Sequence, residues 1–165
     1  MPDYWLDADS FIRPYREFYR FQTVPQFWDF LKEKAQEGVI GSPELVLDKE
    51  LSASDPKEQD ALEQWARPLK DVLFLKPSAT VQASYKQVVQ YVEGNKTYKR
   101  HWVVKFLDGA DPWVIAYAKA LGGRIVGFET CQPNAKRPKL PDVAANFGVK
   151  CINLWDMLDE LGWHT

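Results

Sequence analysis

The stretch GADPWVIAYAKALGGRIVGFE, residues 109–129, sets a helix directly before a strand. Asp111 stands at the position of a capping carboxylate, and Pro112 suits the first helical position, where a missing N–H costs nothing. Gly122 and Gly123 supply the stop. RIVGFE, 124–129, then reads as a strand that finishes in a carboxylate, Glu129. The fold class turns on whether this alternation continues on either side.

Downstream it does. Pro141 to Phe147 reads as a short helix closed by Gly148, Val149 to Asn153 as a strand, and Leu154 to Leu161 as a final helix. Upstream, residues 3–7 make a short strand, and Ser10 opens a helical segment with Phe11, Tyr15, Phe18 and Tyr19 on one side and Pro14 near its first turn. Val24 to Gln36 carries Phe27, Phe30, Leu31 and Ala35 at helical spacing and ends at Gly38. Val39 and Ile40 form a brief strand, with Ser42 as cap and Pro43 as first residue of a helix that holds Glu50 two turns in.

Asp55, Pro56 and Glu58 signal a helix that buries Ala61, Leu62 and Trp65 and closes at Pro68. Ser78 to Glu93 is amphipathic through Val81, Tyr85, Val88, Val89 and Val92, and Gly94 and Asn95 end it. WVVKFL, 102–107, fits helix or strand. Strands separated by helices imply an α/β chain of three layers, α/β/α, around a central and largely parallel sheet.

A length of 165 residues with 45% hydrophobic side chains suits one domain with a sizeable core. The formal net charge of −2 excludes the bulk basic field with which many proteins grip nucleic acid, so phosphate binding must be local. Cys131 and Cys151 belong to no metal-ligand spacing, which argues against structural zinc. The start, MPDYWLDADS, lacks a basic lead and apolar core, and no run is long and apolar enough to span a bilayer. The expected location is the cytoplasm.

In an open parallel sheet, ligands gather beyond the carboxyl ends of the strands. Asp7 ends the first strand, Glu129 ends RIVGFE, Asp111 begins a helix near the same edge, and Glu50 can join from a helix. Singly, each has an ordinary reading as a cap or solvated charge. Together they are costly, because two carboxylates about 4 Å apart repel by roughly 4 kcal/mol at an effective dielectric near 20. A divalent cation removes that cost. Oxygen ligands favour magnesium or manganese, and metal-assisted cleavage of a phosphodiester is the chemistry such a site supports.

Taken in order, LDADSFI, LVLDKEL, GADPWVIAYA and RIVGFE, with the later KLPDVAANFGVKCINLWDMLDELG, resemble the pattern of PIN domains, near the VapC-type toxins of bacterial toxin–antitoxin systems. The likeness spans nearly the whole chain. It implies a PIN-like α/β nuclease acting on RNA with Mg2+ or Mn2+, with an antitoxin protein and a second copy of the chain as candidate partners. The family's acids fall on Asp7, Glu50, Asp111 and Glu129. Three positions differ from the pattern: Asp9 replaces Asn or Ser, Gly127 replaces Ser or Thr, and Glu129 replaces Asp.

Two other classes compete. One is a catalytically silent interaction protein of the same fold. The other is a haloacid-dehalogenase-type phosphatase, suggested by the D-x-D-x-S of Asp7, Asp9 and Ser10, which GFET and GADPW fit poorly. GNKT, 94–97, lacks the spacing of a phosphate-binding loop, and His101 and His164 accompany no nucleophile motif. The loop after Glu129 brings Lys136, Arg137 and Lys139 as candidate RNA-binding cations. RPYREFYRFQTVPQFWDF, 13–30, interleaves Arg13, Arg16 and Arg20 with aromatic residues, a composition that serves a core, base stacking or a partner interface.

Overall fold

The computed structural model describes residues 1–53 and 55–164. Five strands, β1 (Tyr4–Leu6), β2 (Ile40–Pro43), β3 (Phe74–Leu75), β4 (Arg124–Val126) and β5 (Cys151–Ile152), form one sheet in the order β3-β2-β1-β4-β5. Every pairing is parallel. The helices are α1 (Asp9–Arg13), α2 (Pro25–Gln36), α3 (Ala61–Ala66), α4 (Ala79–Gly94), α5 (Arg100–Asp108), α6 (Asp111–Leu121), α7 (Leu140–Asn146) and α8 (Leu154–Glu160). They flank the sheet to give the three-layer α/β/α arrangement. No helix among the described residues is long and apolar enough to cross a membrane.

β1 lies at the centre because its residues are apolar on both faces: Trp5 and Leu6 are fully buried and Tyr4 nearly so. Trp5 packs on Tyr117 of α6 at 5.2 Å between ring centroids, and its indole N–H donates to Gly122 O at 2.8 Å. The facing residue of β2 is Gly41. A Cβ there would stand 2.9 Å from the Trp5 ring, so the indole occupies space that only glycine leaves open. Burying an aromatic of this kind stabilises by roughly 1.5–3 kcal/mol. On α1, α2 and α3, Phe11, Phe27, Trp28 and Trp65 join through aromatic contacts such as Trp28–Trp65 at 5.0 Å, and Phe11 also meets Phe74 of β3 at 5.4 Å.

Several expected boundaries move. Asp7 caps the first helical segment, with its Oδ1 accepting from the Ser10 N–H at 3.0 Å, so Ser10 is not the cap. After Pro14 the chain makes one wide turn, Tyr19 N–H donating to Pro14 O at 2.7 Å. Ser42 and Pro43 belong to β2, because the Ser42 hydroxyl donates to Leu6 O at 2.7 Å and its N–H to Leu73 O at 2.9 Å. Helical backbone starts at Glu44, directly after Pro43, and Glu50 lies in the short wide-turned segment Val46–Leu51.

Asp60, not Asp55, caps α3, accepting from Glu63 N–H at 2.8 Å. Asp55 caps the separate 3-10 turn Pro56–Glu58. Ala61 is therefore exposed and Ala66 takes the buried place. WVVKFL is helical, inside α5. The carboxyl strand RIVGFE leaves the sheet at Gly127, three residues short of its expected length counted from Glu129 back to Val126.

Candidate active site

β1 and β4 run side by side and end together, so Asp7 and the segment Gly127–Glu129 emerge at the same edge. α6 begins at that edge with Asp111, and α5 turns into it through Gly109 and Ala110. The result is a cleft of about 290 Å3 lined by the acids Asp7, Asp9, Glu50, Asp111 and Glu129 together with Trp102, Lys105, Arg137 and Lys139. All four acids proposed from sequence meet there. Asp9 is a fifth, signalled in the sequence only by its spacing of two from Asp7.

Asp7 is 4% exposed. Its Oδ1 faces both the N–H and the hydroxyl of Ser10, at 3.0 and 2.9 Å, and the same hydroxyl reaches Val126 O at 2.8 Å. One hydroxyl proton serves one acceptor. The Ser10 hydroxyl therefore divides its one proton between Asp7 Oδ1 and Val126 O. Burial, then the neighbouring Asp111 carboxylate, pushes the Asp7 carboxyl well above its ordinary range, against the opposing Ser10 hydrogen bonds.

Asp111 sits at the first helical position of α6 and makes no side-chain capping bond. Its carboxyl turns to the cleft, where burial first, and then Glu129, Glu50 and Asp9, push it up to about 7. The remaining two acids are partly engaged. Glu50 Oε1 accepts from Ala110 N–H at 3.2 Å, tying the start of α6, while its neighbour Lys49 pairs with Asp108 at 3.0 Å. Glu129 Oε2 accepts from Leu140 N–H at 2.9 Å, capping α7, and its Oε1 lies 3.8 Å from Lys139 Nζ.

Among the described residues, Asp7, Asp9, Glu50 and Asp111 form no ion pair. Clustered carboxylates without a basic partner, all presenting oxygen, suit a hard divalent cation such as Mg2+ or Mn2+. Yet among the described residues no three His, Cys, Asp or Glu side chains stand grouped as a metal-ligand set. The acids share a cleft and a field, and they are not drawn together. Glu50 and Glu129 each give one carboxylate oxygen to a backbone N–H, which leaves the other oxygen of each outside that bond.

The cationic wall differs from the expected one. Arg137 and Lys139 line the cleft, but Lys136 does not; its carbonyl accepts from Lys99 N–H at 2.8 Å, fastening the loop to α5. Lys105 takes the third place. Lys105 and Arg137 both lie over the Trp102 ring, at 5.4 and 5.3 Å from its centroid. Gly127 also acquires a reason: a Cβ there would fall 2.6 Å from Asp7 Oδ2, so the Ser or Thr of the PIN pattern has no room beside Asp7 as placed.

Parallel α/β chains that gather acids beyond their strand ends form a broad class of ligand-binding and catalytic proteins. This chain belongs to the family described as a domain of unknown function, DUF4411, whose model matches residues 4–165. No curated protein and no solved structure matches the chain.

Proposed function

We propose that the chain is a PIN-like ribonuclease that hydrolyses phosphodiester bonds with Mg2+ or Mn2+ held by Asp7, Glu50, Asp111 and Glu129, and that it acts in the cytoplasm as the toxin of a type II toxin–antitoxin pair. One observation carries the nuclease reading: acids from four separated segments line one cleft with Lys105, Arg137 and Lys139, and among the described residues Asp7, Asp9, Glu50 and Asp111 form no ion pair. An anionic backbone is repelled by such acids alone and is attracted once a cation and a basic wall flank it.

The ion, when bound, supplies Lewis acidity and a more acidic water. The chain's own groups do the rest. Asp7, fixed by Ser10 at the end of β1, and Asp111, at the start of α6, form the deep end of the ligand set. Lys105 and Arg137, steadied against Trp102, hold phosphate oxygens at the rim. The toxin assignment rests on the resemblance of the acidic motifs to VapC-type chains.

Purified protein on mixed RNA should cleave with manganese and not after chelation, and Asp7→Asn should lower the rate by about 100-fold or more. Expression of the native chain, and not of the variant, should arrest bacterial growth. Equal absence of cleavage in both proteins would overturn the nuclease reading in favour of a silent interaction protein, and cleavage without growth arrest would remove the toxin role alone.

A further inference from the structure

A second cavity, of about 230 Å3, is lined by Tyr19, Trp155, Leu158, Asp159, Trp163 and His164, and shares no residue with the acidic cleft. Its aromatic walls come from three places in the chain. The Tyr19 ring stands 6.1 Å from Trp155 and 5.5 Å from Trp163, edge-on to both at 75° and 76°. Tyr19 is set by an edge contact with buried Phe27 at 4.5 Å, and its carbonyl accepts from the Trp28 indole at 2.7 Å. Trp163 is set by its N–H, which donates to Leu158 O at 2.9 Å. The rings are thus held by the core.

The helix that carries Trp155 is acidic, while His164 also lines the notch. α8 carries Asp156, Asp159 and Glu160 and no basic residue. Glu160 is satisfied by Arg124 at 2.6 Å. Asp156 and Asp159 form no ion pair among the described residues, and Asp159 lines the notch itself. Aromatic faces are the negative ends of ring quadrupoles, so rings and carboxylate together select a cation.

We infer that this notch receives one arginine side chain presented by a partner polypeptide. A planar guanidinium stacks on an indole while donating to a carboxylate, which a compact ammonium does less well. The chain makes the same pairing next door, with the Arg13 guanidinium 4.8 Å from the Phe128 ring. Phe18 and Trp155, in edge contact at 5.2 Å, remain 44% and 37% exposed, which is unusual for such large apolar side chains. That apolar shoulder suits residues flanking an arginine and would stay wet around a small free cation.

The test is titration of the full, isotope-labelled chain with an acetylated pentapeptide carrying a central arginine between leucines, read at the indole N–H resonances of Trp155 and Trp163. The arginine peptide should shift both resonances saturably. A glutamine peptide should bind about tenfold more weakly, as should the arginine peptide to Asp159→Asn or Trp155→Ala. Asp159 is exposed, so the thermal midpoint of Asp159→Asn should hold and that variant carries the comparison, whereas Trp155→Ala also gives up ring contacts with Phe18 and Tyr19 and should lower the midpoint. Equal response to both peptides, no saturable response, undiminished binding by the variants, or equal affinity for free arginine amide would each overturn the proposal.

Discussion

Replacing Asp111 by Asn measures the crowding of charge in the cleft, because the amide keeps the carboxyl's shape and cannot ionise. Burial and the surrounding acids lift this carboxyl from 3.8 to about 7. At 1.36 kcal/mol for each tenfold change in proton affinity, that rise bounds the cost of the ionised form at about 4 kcal/mol. Solvent partly reaches the residue, which reduces the bound to about 2 kcal/mol. The sign follows from proton counting. Between pH 4 and 7 the folded chain keeps a proton that the unfolded chain has released, so stability falls as pH rises through that window and levels off above it. Asp7, also raised, adds to the same slope.

Asp111→Asn should therefore exceed the native chain by only about 1 kcal/mol at pH 4.5, where the unfolded carboxyl is already mostly ionised, and by about 2 kcal/mol at pH 8, or roughly 4–8 °C in Tm for a chain of this size. Urea denaturation at the two pH values, with and without manganese, checks this. Manganese should stabilise the native chain at pH 8 and the variant less. A variant no more stable than the native chain at pH 8, or one whose advantage persists undiminished at pH 4.5, would refute the reasoning.

Gly127→Ser would force Asp7 from its place, since the new Cβ meets Asp7 Oδ2 at 2.6 Å, and should cost about 1–3 kcal/mol in urea denaturation while lowering manganese-dependent cleavage. Removing Lys105 and Arg137 together should reduce the slope of log affinity for single-stranded RNA against log salt by about 1.4, at roughly 0.7 per cation lost. Lys136→Ala, outside the cleft, should leave that slope nearly unchanged; a fluorescence-anisotropy salt series separates the two.

What could be read from sequence, and what could not, divides along the reach of local signals. α4 and α6 were legible because apolar spacing and stop agree over eleven residues or more; Ser78 caps α4 by accepting from Val81 N–H, whereas Asp111, expected as the cap of α6, is its first helical residue and makes no capping bond. β3 has two residues, too few for any period, and only its pairing with Ser42 and Pro43 makes it a strand. Ser42-Pro43 reads equally well as a helix start, and the decision comes from Leu6, 36 positions away, whose carbonyl takes the serine hydroxyl.

The site shows the same division. Strand ends and helix starts of a parallel sheet share an edge, which pointed to Asp7, Asp111 and Glu129, and the motif resemblance added Glu50; all four line the cleft. Order along the chain did not select Lys105, since the state of 102–107 was open. As a helix, α5 turns Trp102, Lys105 and Phe106 to one side, with Gly109 following at the same spacing, and all four line the cleft. Nor did order explain Gly127. A side chain at this position would meet Asp7 Oδ2, while the hydroxyl beside Asp7 comes from Ser10 and sits on Oδ1. Which residue can stand at 127 is therefore decided by how Asp7 is held, a contact between the ends of β1 and β4 that no spacing along the chain displays.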